Sequence, residues 1–193
     1  MSGRTFAVGV VGFGRCGSTM TMGMLAAGGC PPVPGSLPVS HELPSPANMR
    51  DGLTAGHTVK LLDVPVLQGW DLPSIGWRFV WLDRNPIQQG KSMRKFARWF
   101  NGQASSDYAK MMTDTIRADR DTVRGFYASR GPVLDLRYED VLRDPDVAAA
   151  QLGRHVGPPF DVDAAAAVVH DRSPKCRPDM AFELLPVCGQ VAA

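Results

Sequence analysis

Cysteine is scarce in this chain, and its spacing builds nothing. Cys16, Cys30, Cys176 and Cys188 are the four among 193 residues; none falls in a C-x2-C pair, and no histidine cluster accompanies them. That spacing gives neither a structural zinc site nor a disulfide framework, so reduced thiols are expected. None of Asn48, Asn85 and Asn101 has Ser or Thr two residues on, so the N-glycosylation acceptor pattern is missing too. Long apolar runs are also lacking. The opening MSGRTFAVGVVGFG is interrupted by glycines and by Arg15 before it reaches the length of a signal or spanning segment. A cytoplasmic protein that does not span a membrane is the expectation. Charge of one sign is equally short, with 21 Lys and Arg against 19 Asp and Glu, a formal net charge of +2 and a pI near 8.4. Such a balance, without a basic aromatic groove legible in the sequence, argues against nucleic acid as partner or substrate. No Asp/Glu/His constellation suggests a metal.

What is present has ordinary globular proportions, 44% hydrophobic and 21% charged, and a length that suits one domain over residues 1–193. Thr5 to Val11 is a small, β-branched apolar run without alternation, as expected of a strand buried on both faces of a parallel sheet. A glycine-rich turn follows, then MTMGMLAAGG, a short helix stopped at Gly28-Gly29. HTVKLL (57–62), RFVWL (78–82) and VLDLRY (133–138) read as further strands. Pro86 opens a helix whose apolar stripe is expected to include Ile87, Met93, Phe96, Ala97 and Phe100. Ser105 to Arg130 is the longest helical candidate, with its break point open. Val147 to Val156 and the alanine run after Asp163 complete the helices. Strands separated by helical segments predict a three-layer α/β/α domain of P-loop type around a mostly parallel sheet. The stretch Cys30–Asp51 is rich in Pro, Gly and Ser and reads as a long functional loop.

Gly12-x4-Gly17-Ser18-Thr19 has Walker A spacing but puts Ser18 where the phosphate-reaching lysine belongs. Backbone N–H groups and the positive end of a helix hold an anion whatever the side chains, and Arg15 adds a fixed cation inside the loop. The missing lysine makes the loop poorly suited to kinase or ATPase chemistry.

The stretch VGFGRCGSTMTMGMLAAGG resembles the 5'-phosphosulfate-binding loop of sulfotransferases, especially small bacterial ones with R-S-G-T/S-T/S before a methionine-rich helix. The resemblance implies that Gly14, Arg15, Cys16, Gly17, Ser18 and Thr19 hold the 5' end of 3'-phosphoadenosine 5'-phosphosulfate (PAPS). Arg15 would take the bridging oxygen, Ser18 and Thr19 the 5'-phosphate; Cys16 departs from the family's serine. Arg84-Asn85-Pro86 with Ser92 resembles the family's 3'-phosphate element, R-x-P followed by serine. VLDLRYEDVLRDP resembles a strand-then-helix segment of the superfamily. The basic cluster after it offers Arg177, with Arg172 and Lys175, for closing on the 3'-phosphate.

Under that resemblance the product is adenosine 3',5'-bisphosphate (PAP), no metal is required, and the acceptor is a small molecule, sugar or lipid headgroup bearing a hydroxyl or amine. Catalysis also needs a base. Glu42, 27 residues after Arg15, stands at about the family's distance for a glutamate base; His41 and Asp63 are the other candidates, and Lys60 would assist the transferring group. The competing functions are a P-loop nucleotide or small-molecule kinase, and a degenerate member that binds nucleotide or protein without turnover. Met- and Phe-bearing helices offer faces that could pack in a homodimer.

Overall fold

The computed structural model of the chain describes residues 4–33, 55–62 and 72–169. Its sheet consists of β1 (Phe6–Gly12), β2 (Thr58–Leu62), β3 (Gly76–Asp83) and β4 (Val133–Arg137), in the order β2-β1-β3-β4 with every pair parallel. Parallel neighbours in register point their side chains to the same face. Val8, flanked by Thr58 and Arg78, and Val10, flanked by Lys60 and Val80, therefore face one layer, while Ala7, Val11 and their neighbours face the other.

Helices cover both faces, which is why β1 carries apolar residues without alternation. On the Val8/Val10 face lie α1 (Ser18–Ala27), α4 (Tyr138–Arg143), α5 (Pro145–Val156) and α6 (Val162–Ala166), and the core there includes Met22, Leu25, Leu82, Leu136 and Leu152. The other face packs Phe79, Trp77 and Trp81 under α3 (Tyr108–Ala128), through Ile116, Val123 and Tyr127. The last helix, α2 (Pro86–Asn101), lies along α3: the Thr113 hydroxyl donates to Pro86 O at 3.2 Å, and Gly90 sits against Ala109 and Thr113. The result is a three-layer α/β/α arrangement around a parallel sheet.

The expected elements are present, with two corrections. The stretch from Ser105 gives one unbroken 21-residue helix. Ile87 is not on the apolar stripe of α2, because it sits well over 90° round the helix from Met93 and Phe96; it is 47% exposed.

Arg4, just before β1, ties the lower edge together. Its Nε donates to Val156 O at 3.1 Å, Nη1 to Gly29 O at 3.0 Å, and Nη2 to Gly157 O at 3.1 Å and to Pro159 O. These carbonyls belong to the C-terminal ends of α1 and α5 and the turn beyond α5, where a cation is favoured by the helix dipoles. Arg78, near the start of β3, donates in the same way to His155 O.

Candidate anion-binding crevice

The strand order creates the crevice. From β1 the chain leaves toward α1 on one face and returns at β2; from β3 it leaves toward α2 and α3 and returns at β4 on the opposite side. Adjacent strands whose connections part in this way leave an opening at their C-terminal ends, where α/β proteins bind ligands. Two turns border it here: the loop from Gly12 to α1, and Arg84-Asn85 at the start of α2.

The loop adopts a conformation that open chains avoid. Gly12 has φ 144° and Gly17 has φ 100°; Arg15, at φ 66°, is the non-glycine residue with positive φ among the described residues. A side chain in the left-handed region costs about 1–2 kcal/mol, and such strain persists where surrounding bonds over-determine it. The bonds are visible. Gln89 Nε2 donates to Phe13 O at 3.0 Å and to Gly14 O at 2.9 Å, and Arg84 Nη1 donates to Arg15 O at 2.8 Å. Three successive loop carbonyls are thus held from the β3–α2 side.

Helix α1 starts immediately after. Its first backbone bond runs from Thr21 N–H to Gly17 O at 3.1 Å, so the N–H groups of Ser18, Thr19 and Met20 precede the helical ladder. Gly17 supplies no side-chain cap, and no acidic residue stands in the first turn. The positive helix end is therefore left to whatever approaches it. Ser18 is buried and Thr19 half-buried there. Cys16 is fully buried in the core beneath, so any contribution it makes to a ligand comes through its backbone.

Arg84 and Arg15 bring two cations to this one rim. The Arg84 guanidinium lies over the Tyr138 ring at 4.4 Å and that of Arg15 over Phe96 at 5.0 Å. Arg84 Nε is buried and makes no hydrogen bond, although a guanidinium carries five donors. Asn85 caps α2, accepting from Ile87 N–H at 3.0 Å and Gln88 N–H at 3.2 Å, and its own N–H donates to Glu139 Oε1 at 3.1 Å. The segment Tyr138-Glu139 braces both turns: a Cβ on Gly17 would meet Tyr138 Cδ2 at 2.6 Å.

Of the residues that the sequence assigns to the site, the structure brings together Gly14, Arg15, Gly17, Ser18, Thr19 and Arg84. Ser92 is half-buried on the side of α2 that also carries Gln89 and Phe96, both of which touch the loop. Lys60 is buried on β2 beside Val10, on the α1 face, and two residues short of the register of Gly12. His41, Glu42, Asp63 and Arg177 lie outside the described residues, as do Arg172 and Lys175. Sequence reasoning missed Gln89. Gln89 had a signal: it occupies the buried stripe of α2 with Met93 and Phe96, and a polar residue at such a position needs a partner.

Among the described residues no group of three His, Cys, Asp or Glu could hold a metal ion, and no helix is long and apolar enough to cross a membrane. The crevice instead collects helix ends and arginines, the chemistry of an anion with more than one charged group. No protein-family model matches the chain, and no curated protein matches it, so the reading of the crevice rests on its own geometry.

Proposed function

We propose that the protein is a sulfotransferase that moves the sulfuryl group of PAPS to a hydroxyl or amine of a small-molecule, sugar or lipid acceptor. The observation that carries this reading is the junction of Arg84 with the loop at Arg15. It joins two cationic elements at one rim, and a donor with phosphates on both the 5' and 3' positions needs two. The absence of lysine at Ser18 favours this donor over a nucleoside triphosphate.

In the proposed reaction the acceptor oxygen or nitrogen attacks sulfur in line, and the S–O bond to the 5'-phosphate breaks. Charge then develops on the leaving phosphate oxygen. Arg15, with the N–H groups at the start of α1, would stabilise it. Arginine stays charged and acts as a clamp, not as a proton donor. The acceptor's proton passes to a carboxylate or imidazole, for which Glu42, His41 and Asp63 are the candidates. Arg84 and Ser92 would take the 3'-phosphate, and Arg177 would close over it.

Titration calorimetry with adenosine 3',5'-bisphosphate and with ADP, each with and without magnesium, tests the nucleotide. Magnesium-independent binding of the bisphosphate, weakened roughly 30-fold in Arg84→Ala, is expected. Preference for ADP, or binding of neither, would overturn the assignment. Single substitutions at Glu42, His41 and Asp63 test the chemistry, because one of them should abolish turnover while donor affinity is kept.

A further inference from the structure

Helix α2 carries a charge pattern that the crevice does not use. From Pro86 to Ser106 there are four cations and no carboxylate, whereas Tyr138 to Ala166 contains six carboxylates against two arginines. The two stretches lie on opposite sides of the sheet, α2 beside α3 and α4 to α6 beside α1. Helix α2 is therefore cationic and the α4–α6 helices acidic on opposite faces of the sheet, although the net charge of the chain is only +2.

The cations of α2 are also ordered. Lys91, Arg94, Lys95 and Arg98 recur at i, i+3, i+4 and i+7, which puts them on one helix face. With Trp99, and with Ala109 of α3, they line an open groove of about 440 Å³ whose wall contains no carboxylate. Two large apolar side chains are exposed here: Ile87, 47% exposed, within the cationic stripe and one turn before Lys91, and Trp99, 45% exposed, at the border of that stripe and one turn after Lys95. Twelve residues separate them, or about 18 Å along the helix.

We propose that this face docks on an anionic lipid surface. Charge complementarity selects a negative partner, and the apolar pair selects a bilayer over a soluble polyanion. A polymer of phosphates or sulfates would be held by the cations and would leave Ile87 in water. A headgroup layer takes both, because tryptophan settles where one side is apolar and the other wet. Each cation brought to an anionic leaflet strengthens partitioning about fivefold, and the attraction is screened by salt. Docking by α2 turns the acidic α4–α6 side away from the lipid. It also brings the rim of the crevice, where α2 begins, to within about one helix length of the headgroups. The inference stands whatever nucleotide the crevice takes.

The test is co-sedimentation of the full chain with vesicles of phosphatidylcholine, and with vesicles containing about a quarter phosphatidylglycerol, at low and high salt. Binding to the anionic vesicles alone, weakened by salt, is expected. The double substitution Lys91→Ala with Arg98→Ala should lower the partition coefficient about 25-fold. The tryptophan emission should shift to the blue on binding, and the shift should vanish in Trp99→Phe. Equal binding to both vesicles, no binding, or anionic binding that the double substitution leaves unchanged would each overturn the proposal. Capture by inorganic polyphosphate with no vesicle binding would overturn it in favour of a soluble polyanion.

Discussion

The two edges of the sheet use arginine in opposite ways. At the lower edge, Arg4 and Arg78 meet the C-terminal carbonyls of α1 and α5, so that cations stand at negative helix ends and are satisfied by backbone oxygens. At the upper edge, Arg15 and Arg84 stand beside the start of α1, a positive helix end without an acidic residue in its first turn. The lower arrangement stabilises itself. The upper one rests on one loop carbonyl and two aromatic rings and leaves the start of α1 without an acidic partner, the place where, under the proposed function, the anionic end of the donor binds.

Substitution at the two edges should break this comparison apart. Arg4→Met removes several charge-assisted bonds and strands the carbonyls they served, so a loss of about 3 kcal/mol in unfolding free energy is expected from denaturant titration. Arg84→Ala removes one charge-assisted bond to the loop and should lower the unliganded stability by about 1.5 kcal/mol, half the effect of Arg4→Met, yet weaken adenosine 3',5'-bisphosphate by about 2 kcal/mol, roughly 30-fold. If Arg84→Ala destabilised the free protein as much as Arg4→Met, both arginines would be structural and the contrast would collapse.

Gly17→Ala sharpens the upper edge alone. The residue holds φ 100°, and its added Cβ would press into the Tyr138 ring. About 1–2 kcal/mol of stability should be lost, with a larger proportional loss of bisphosphate affinity, because the start of α1 moves. An Arg4→Met protein at matched stability should keep that affinity. Thermal denaturation paired with calorimetry separates the two effects.

How much of this was legible beforehand follows from what carries each feature. The strands and helices were visible because burial on one or both faces imposes a period on the residues themselves, as in Phe6–Gly12 and Tyr108–Ala128. The loop and Arg84 were visible because glycine spacing and an arginine at a strand end are local patterns. Their direct bond was not, since it depends on β1 and β3 being neighbours, 69 residues apart at the contact. The four-carbonyl setting of Arg4 was hidden for the same reason: a backbone oxygen has no sequence signature. Ile87 was misplaced on the apolar stripe because an apolar residue near a helix start reads as core, whereas its angle about the axis sends it outward.

His155 offers the finest probe of the lower edge. Its place in the last turn of α5 would ordinarily raise an imidazole's pKa through the dipole. Here the nearby carbonyls already serve Arg4 and Arg78, so an imidazolium would be one more cation among cations. Burial first, and then the Arg78 guanidinium, hold its pKa below the usual 6.5, against a hydrogen bond with the Phe79 backbone. Between the depressed value and 6.5 the unfolded chain binds the proton that the folded one refuses. Stability therefore rises with pH across that window and is lost as pH falls through it. In thermal denaturation from pH 7 to pH 5, His155→Gln should show a flatter decline than the unsubstituted protein. Parallel curves would mean that the imidazolium is tolerated at this edge, and that the carbonyls there are less fully engaged than the Arg4 and Arg78 bonds imply.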